Sequence, residues 1–102
     1  MDEAQRHELA DLLKALGEFN RLSLVCELCE CETPQNAMCL CSCCSVDSSV
    51  VSRHLKVLAQ EGVVQMEKKG RERVYSLNRN DVANKLRLLA DQIEGCVNKY
   101  RD

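Results

Sequence analysis

Gly62 marks a change in residue periodicity that constrains the fold more than any other feature of this chain. Residues 48–61 before it contain no Gly or Pro, and Asp47 is a suitable N-cap for a helix. Apolar side chains in this stretch recur at the spacing of an amphipathic helix, at Val51, Leu55 and Leu58. Gly62 is placed to end that helix, so the segment that follows must have a different structure.

A β-hairpin with a basic tip is predicted directly after Gly62. Two runs of β-prone residues, 63–66 and 74–77, lie on either side of a short polar segment that contains Gly70. Such a segment between two β-prone runs is typical of a hairpin turn. The cations at or near the tip are Lys68, Lys69, Arg71 and Arg73.

Two helices are predicted in the first third of the chain. Residues 3–17 carry leucines at positions 9, 12, 13 and 16, and Gly17 is placed to end this helix. Asn20 can cap a second helix. The inner face of that second helix is expected to hold Leu22, Val25 and either Leu28 or Cys29.

The remaining segments are a loop, a short cysteine-rich stretch and a last helix. Residues 30–38, which include Pro34, are predicted to be a loop, and the sequence leaves the state of residues 39–44 open. Asn80 or Asp81 can cap the last helix, whose narrow apolar seam suits pairing with another helix, including a copy of itself. The seam consists of Val82, Leu86, Leu89, Ile93, Cys96 and Tyr100.

Length and composition favour one globular domain. The chain has 102 residues, too few for a second core, so we expect a single domain over 1–102. Hydrophobic residues make up 45% and charged residues 29%, which excludes a disordered composition. The charged N-terminus lacks the pattern of a signal peptide, and no apolar run approaches about 18 residues. These observations predict a cytoplasmic protein that does not cross a membrane.

The chain has eight cysteines, and seven of them lie between Cys26 and Cys44. A disulfide framework would spread them along the chain. A cytoplasmic protein keeps its thiols reduced, and a cluster there indicates metal binding or redox sensing. The eighth, Cys96, lies on the apolar seam and is interpreted as a packing residue. Cys26 and Cys29 are as well explained by packing as by ligation.

The charge distribution is compatible with DNA binding, although the net charge by itself argues against it. The net charge is −2, yet residues 51–79 contain seven basic and three acidic residues and so carry +4, against −6 for the rest. A helix that enters the major groove needs short polar groups and cations on its outer face, and a basic hairpin tip reaches neighbouring phosphates. Either feature alone is more often a solvated surface. The outer face before Gly62 consists of Ser49, Ser52, Arg53, Lys56 and Gln60.

The order of elements is that of a winged helix-turn-helix. We therefore predict a mainly α protein with a small β-hairpin wing (α+β), in α-α-α-α-β-β-α order. The motifs SVVSRHLKVL at 49–58, EGVV at 61–64, KGR at 69–71 and VYSL at 74–77 closely resemble the ArsR/SmtB family. These are small dimeric winged-helix repressors that release DNA when they bind a metal ion or metalloid. The first two predicted helices also resemble that family, so the resemblance covers nearly the whole chain.

The resemblance implies a homodimer formed through the first and last helices. It implies double-stranded operator DNA with an imperfect inverted repeat, which matches the axis of the dimer. It maps the family's recognition-helix positions onto Ser48, Ser49, Ser52, Arg53 and His54. Together with the outer-face and wing cations Lys56, Lys69, Arg71 and Arg73, these are the predicted DNA-binding residues.

A metal-sensing site is implied at Cys39 and Cys41, which stand where soft-metal sensors of the family often carry a C-x-C pair. Cys43 and Cys44 follow at once, and the interval to the recognition helix is shorter than usual, so we expect a shortened third helix. Thiolates prefer soft ions, and trivalent arsenic, which favours three sulfurs, is our first choice before cadmium, lead or zinc. Cys26, Cys29 and Cys31 are weaker candidate ligands. The last helix contains no His, so a zinc site built from His and Asp is not expected there.

The sequence thus predicts a repressor that releases its operator when a soft metal or metalloid binds the thiols beside the recognition helix. One alternative is a redox-sensing repressor of the same fold, in which Cys43 or Cys44 forms a disulfide. Another is a protein-interaction module stabilised by structural zinc. An enzyme is not expected, because no nucleophile and base are convincingly spaced and no phosphate-binding glycine loop is present.

Overall fold

Helices and one hairpin follow one another in the predicted order. The computed structural model describes residues 1–43 and 46–101, with side chains for residues 1–42 and 46–95. The elements are α1 (Glu3–Leu16), α2 (Phe19–Cys29), α3 (Ala37–Leu40), a 3₁₀ turn (Cys41–Cys43), α4 (Ser48–Gln60), β1 (Val64–Lys69), β2 (Glu72–Leu77) and α5 (Arg79–Arg101). The α-α-α-α-β-β-α prediction is therefore confirmed.

The second helix differs from the sequence prediction in both its cap and its buried face. Its N-cap is Glu18, whose carboxylate accepts from the backbone N–H of Arg21 at 2.9 Å, so the assignment of Asn20 as the cap was wrong. Since α2 packs against both α1 and α4, the stripe containing Leu24, Val25 and Leu28 is buried. Of the predicted inner face, Val25 and Leu28 are buried, whereas Leu22 and Cys29, the alternative to Leu28, are exposed.

The fourth helix follows the prediction closely. Asp47 caps its first turn, and Val51, Leu55 and Leu58 are fully buried in the core. Helix α4 contacts α1, α2, α3 and β1, so its apolar side lies at the centre of the molecule. Its polar side is consequently left toward the solvent.

The hairpin is antiparallel, and Lys69 pairs with Glu72 next to its tip. Gly62 and Gly70 have positive φ angles, 75° and 63°, a conformation that L side chains rarely adopt. Gly62 turns the chain from α4 into β1, and Gly70 turns β1 into β2. The two strands with their tip form the wing.

The third helix has only four residues, which agrees with the shortened helix expected from the sequence. Asn36 caps it, because its side-chain oxygen accepts from the backbone N–H of Cys39 at 2.9 Å. The 3₁₀ turn follows without a break. Cys44 lies outside the described residues, as does the side chain of Cys43.

The last helix begins at Arg79, before the predicted caps Asn80 and Asp81, so that boundary was wrong. The Arg79 guanidinium donates to the backbone oxygens of Leu28 and Cys31 at 3.0 and 2.9 Å and thereby satisfies the carboxyl end of α2. Along the seam Val82 is buried, Leu89 is half-buried, and Leu86 and Ile93 are exposed. The side chains of Cys96 and Tyr100 lie outside the described part. Among the described residues, every helix is too short or too polar to span a membrane.

Candidate nucleic-acid interface and thiol segment

The outer face of α4 begins at a strong N-cap. The Asp47 carboxylate accepts from the Ser49 hydroxyl at 2.6 Å and from the backbone N–H groups of Ser49 and Val50, both at 3.1 Å. These donors, the Ser49 hydroxyl first, lower the pKa of Asp47 below its usual value, and Arg53 adds to the effect. The predicted contact residues Ser48, Ser49, Ser52, Arg53 and Lys56 are all exposed on this helix.

The wing brings a second set of cations beside α4. A groove of about 730 Å³ runs between α4, the start of α3 and the wing. From α4 it is lined by Ser52, Arg53 and Lys56, and from the wing by Arg71 and Arg73. Four cations thus face one groove, which we call the α4–wing groove. Its other lining residues are Asn36, Ala37, Met38, Ala59, Met66, Glu72 and Tyr75.

Some predicted contact residues lie elsewhere. Ser48, Ser49 and Lys69 are exposed but do not line the groove. His54 turns toward the start of α2, where its Nε2 lies 3.7 Å from an oxygen of Glu18, and only 18% of its side chain is exposed. The structure therefore separates His54 from the outer face that carries Ser52 and Arg53.

Glu18 links the recognition helix to α2. Its pKa is lowered mainly by the hydrogen bond from the backbone N–H of Arg21 and further by the nearby His54. Because Glu18 is also the N-cap of α2, His54 contacts a fixed acceptor. His54 thus lies between two helices, with its ring beside the Glu18 carboxylate.

The loop before α3 is tied to the wing, which no sequence pattern indicated. Gln35 and Tyr75 exchange both backbone hydrogen bonds, at 2.9 and 2.8 Å. The Asn36 side-chain amide donates to a carboxylate oxygen of Glu72 at 3.2 Å. Since these pairs are about 40 and 36 residues apart in the chain, only the tertiary fold reveals them.

Residues 39–44 are here called the thiol segment, and its two described thiols, Cys39 and Cys41, differ in exposure. Cys39 is exposed, and its backbone N–H donates to Asn36, the residue that contacts Glu72. Cys41 is half-buried and packs against the core. Asn36, which lines the α4–wing groove, therefore connects that groove to the thiol segment through its hydrogen bond with the backbone of Cys39.

The weaker candidate ligands lie on or just beyond α2. Cys26 and Cys29 are exposed, whereas Cys31 is half-buried and its thiol donates to the backbone oxygen of Glu27 at 3.3 Å.

Sequence similarity to a curated relative identifies the family of this chain. The "Transcriptional repressor SmtB homolog" of Synechocystis sp. is 32% identical over 99 residues, which cover 92% of this chain and 68% of the relative. The chain belongs to the ArsR/SmtB family. No family model matches this ArsR/SmtB sequence.

Solved structures of other regulators share the fold of this ArsR/SmtB protein. An ArsR-like transcriptional regulator from Rhodococcus sp. RHA1 is 25% identical, with a TM-score of 0.72 over 96% of this chain and 93% of the other. A protein described as a possible transcriptional regulator for arsenical resistance is 32% identical, with a TM-score of 0.70 over 81% and 83% of the two chains. The winged helix-turn-helix prediction is confirmed, and the relatives are transcriptional regulators rather than enzymes.

The donor set of this ArsR/SmtB protein suits a soft ion, because thiols dominate the segment before α4. Among the described side chains, no three His, Cys, Asp or Glu residues lie close enough together to hold a metal ion. The described side chains do not include those of Cys43 and Cys44, which are two of the four predicted ligands. The exposed Cys39 and half-buried Cys41 are the described thiols of the segment.

A helix cap gives a test of how α4 is built. Asp47→Asn keeps a capping oxygen but removes its charge, and we expect a small fall in the Tm at pH 7. Because the pKa of Asp47 is lower in the folded state, its contribution to stability is present above the unfolded-state pKa and is lost as the pH falls through the folded one. The difference in Tm between variant and wild type should therefore shrink below about pH 4. Asp11→Asn, an exposed change on α1, should alter neither value, and a pH-independent difference would contradict the explanation.

Proposed function

We propose that this protein is a homodimeric repressor that binds double-stranded operator DNA through α4 and the wing. It releases the operator when a soft metal or metalloid binds the thiol segment, at Cys39, Cys41, Cys43 and Cys44. Trivalent arsenic is the first choice, ahead of cadmium, lead and zinc. Membership in the ArsR/SmtB family supports the regulatory role.

The α4–wing groove is the observation that carries the DNA-binding proposal. Arg53 and Lys56 on one wall face Arg71 and Arg73 on the other, although the chain as a whole carries −2. A basic concave surface beside an exposed polar helix fits a phosphate backbone next to a major groove. Ser52 and Arg53 supply groups that bond to base edges. Ser48, Ser49 and Lys69 extend the surface around it.

A homodimer through α1 and α5 is supported by apolar surface on both helices. Leu13 on α1 is 42% exposed, and Leu86 and Ile93 on α5 are 37% and 59% exposed. A cleft between the two helices is lined by apolar side chains that include Leu9, Leu13 and Leu89. A two-fold axis there would present two copies of α4 to successive major grooves, about 34 Å apart, which calls for an inverted-repeat operator.

The ligand proposal rests on thiol chemistry and on one structural neighbour. A soft ion bound in the thiol segment would supply strong bonds to several thiolates at once. Trivalent arsenic is placed first because the 32% identical neighbour is described as a possible regulator for arsenical resistance. Cys39 is accessible to such a ligand, and Cys41 joins it only by leaving its contact with the core.

Asn36 couples the thiol segment to the wing. Its side-chain oxygen holds the backbone of Cys39, and its amide holds Glu72 at the base of the wing. A change in the backbone at Cys39 therefore loosens the cap and the contact with Glu72 together. Glu72 lines the α4–wing groove, and a carboxylate released there repels phosphate. Ligand binding thereby lowers the population of the DNA-competent form.

Operator release tests the proposed function. DNA duplexes that bind the reduced protein are selected from a random pool at low salt. The selected duplexes are labelled, and their complexes with the protein are titrated with arsenite, cadmium or zinc under reducing conditions. We expect release by a soft ion, with a loss of affinity of about 5- to 150-fold for a coupling of about 1–3 kcal/mol.

Each remaining result points to a different function. Release by an oxidant alone would favour the redox-sensing repressor and contradict metal sensing. A failure to select any duplex at low salt would overturn the repressor and favour a zinc-stabilised interaction module.

The coupling through Asn36 has its own test. Asn36→Asp keeps an acceptor for the N–H of Cys39 but replaces the amide that donates to Glu72. We expect operator affinity without ligand to fall at least about two- to tenfold, because one hydrogen bond is lost and a second carboxylate faces the groove, and we expect the further effect of ligand to shrink. Fluorescence anisotropy with the labelled operator measures both.

A reversed pair provides the control for this test. In Asn36→Asp/Glu72→Gln the new glutamine amide can donate to the new aspartate, so we expect most of the affinity and ligand response to return. Glu67→Gln removes the same charge as Glu72→Gln does, from the same hairpin, and should leave the ligand response unchanged. A response that is normal in Asn36→Asp would rule out this coupling route.

A further inference from the structure

The outward side of α2 carries an apolar stripe that ends in two thiols. Phe19 is 79% exposed and Leu22 is 46% exposed, and the thiols of Cys26 and Cys29 are exposed as well. The spacings from 19 to 22, 26 and 29 place all four residues on one side of a helix. This side faces away from α1 and α4, which cover the opposite stripe at Leu24 and Leu28.

Cys26 and Cys29 form a dithiol that is distinct from the neighbouring cysteine. Residues three apart on a helix have Cβ atoms about 5–6 Å apart, within reach of one bridging atom between two sulfurs. Cys31 lies past the end of α2, and its thiol is hydrogen-bonded to the backbone oxygen of Glu27 at 3.3 Å. Among the described side chains, no third ligand residue completes a metal-binding group with the pair.

Two sulfurs beside apolar side chains suit one class of ligand in particular. Inorganic trivalent arsenic favours three sulfurs and zinc four ligands, whereas arsenic that already holds one carbon substituent needs only two sulfurs. Helical side chains lean toward the N-terminus, so a group bound at Cys26 lies over the turn that contains Leu22. Leu22 and Phe19 then offer apolar surface to the organic substituent.

We propose that Cys26 and Cys29 form a second thiol site, which binds trivalent arsenic carrying one organic substituent. The aryl- or alkylarsine oxide exchanges its oxygen for the two sulfurs. Two As–S bonds form, the two thiol protons leave with the oxygen as one water molecule, and arsenic stays trivalent. The site is independent of DNA binding and of the thiol segment.

The test counts bound arsenic on the full-length reduced protein. Phenylarsine oxide is added, and bound phenylarsenic per chain is measured by native mass spectrometry. We expect Cys26→Ser and Cys29→Ser each to bind one phenylarsenic group fewer than the wild type, and Cys31→Ser to bind as many as the wild type. With arsenite, the stoichiometry should be the same in all four proteins. Equal phenylarsenic binding in all four proteins would overturn the proposal.

Proteolysis of the loaded wild type gives an answer that needs no variant. Glu27 lies between the two thiols, so cleavage after glutamate separates Cys26 from Cys29. We expect the two peptides to remain joined through one phenylarsenic group until a competing dithiol is added. Phenylarsenic found only on peptides from residues 33–61 would also overturn the proposal.

The apolar flank has a measurable effect on selectivity. In Leu22→Ser we expect the preference for phenylarsine oxide over its methyl analogue at this site to fall roughly three- to tenfold, because less apolar surface is covered. An unchanged preference would show that Leu22 takes no part in the site.

Discussion

Replacing Arg53 with alanine is expected to weaken operator binding by about 1–3 kcal/mol in each half-site, the cost of one lost base contact. Arg53 is exposed on α4 and lines the α4–wing groove, and no hydrogen bond within the described part of the chain occupies its guanidinium. The variant should therefore fold as the wild type does. Anisotropy with the selected operator measures the affinity, and circular dichroism checks the fold.

Two companion variants separate the roles of Arg53. Arg53→Lys keeps the charge but loses the bidentate guanidinium. If Arg53 contacts a base, this variant should lose nearly as much operator affinity as the alanine variant. If Arg53 contacts a phosphate, the loss of affinity should be small. Arg87→Ala removes the same charge from α5, where Arg87 donates to the side chain of Asn84 on its own helix, and should leave affinity within about twofold at physiological salt. Wild-type affinity in Arg53→Ala would mean that α4 is not the recognition helix.

Replacing Cys39 with serine is expected to weaken operator release by arsenite, while operator affinity without ligand stays within about threefold. The hydroxyl is a poor ligand for a soft ion, and the thiol of Cys39 is exposed, so its replacement removes little packing. The backbone hydrogen bond of residue 39 to Asn36 does not depend on the side chain, so the cap of α3 is retained. The loss should be a large part of the ligand response, which is about 5- to 150-fold in the wild type.

Serine variants at the other positions complete this experiment. We expect Cys41→Ser, Cys43→Ser and Cys44→Ser to lose release to the extent that each thiol is a ligand. Cys31→Ser makes the same chemical change where the thiol is already bonded to Glu27, and should release normally. Normal release in all four variants of the thiol segment would remove it from the sensing mechanism.

The fourth helix and the wing were predictable because their signals are local. The spacing of Val51, Leu55 and Leu58 is compatible with one buried helix face. Asp47 starts the helix as its side-chain N-cap, and Gly62 ends it because it adopts a positive φ angle. The family motifs overlap these same residues, so resemblance and periodicity agree there.

The second helix was harder because two apolar stripes compete on it. Leu22 and Cys29 lie on one side of the helix, and Leu24, Val25 and Leu28 lie on another. Periodicity alone does not say which of them α1 and α4 will cover. The structure buries the second stripe and thereby exposes Leu22 and Cys29, which made the dithiol on α2 visible.

By itself, the sequence determined the order of the elements, the polar-faced fourth helix, the basic wing and the cysteine-rich segment, because each depends on residues close together in the chain. Only the tertiary structure decided that Arg53 and Arg71 face one groove, that His54 turns to Glu18, and that Asn36 contacts Glu72. These arrangements join residues about 18 to 36 positions apart, and their geometry depends on how whole helices pack against each other rather than on any local pattern.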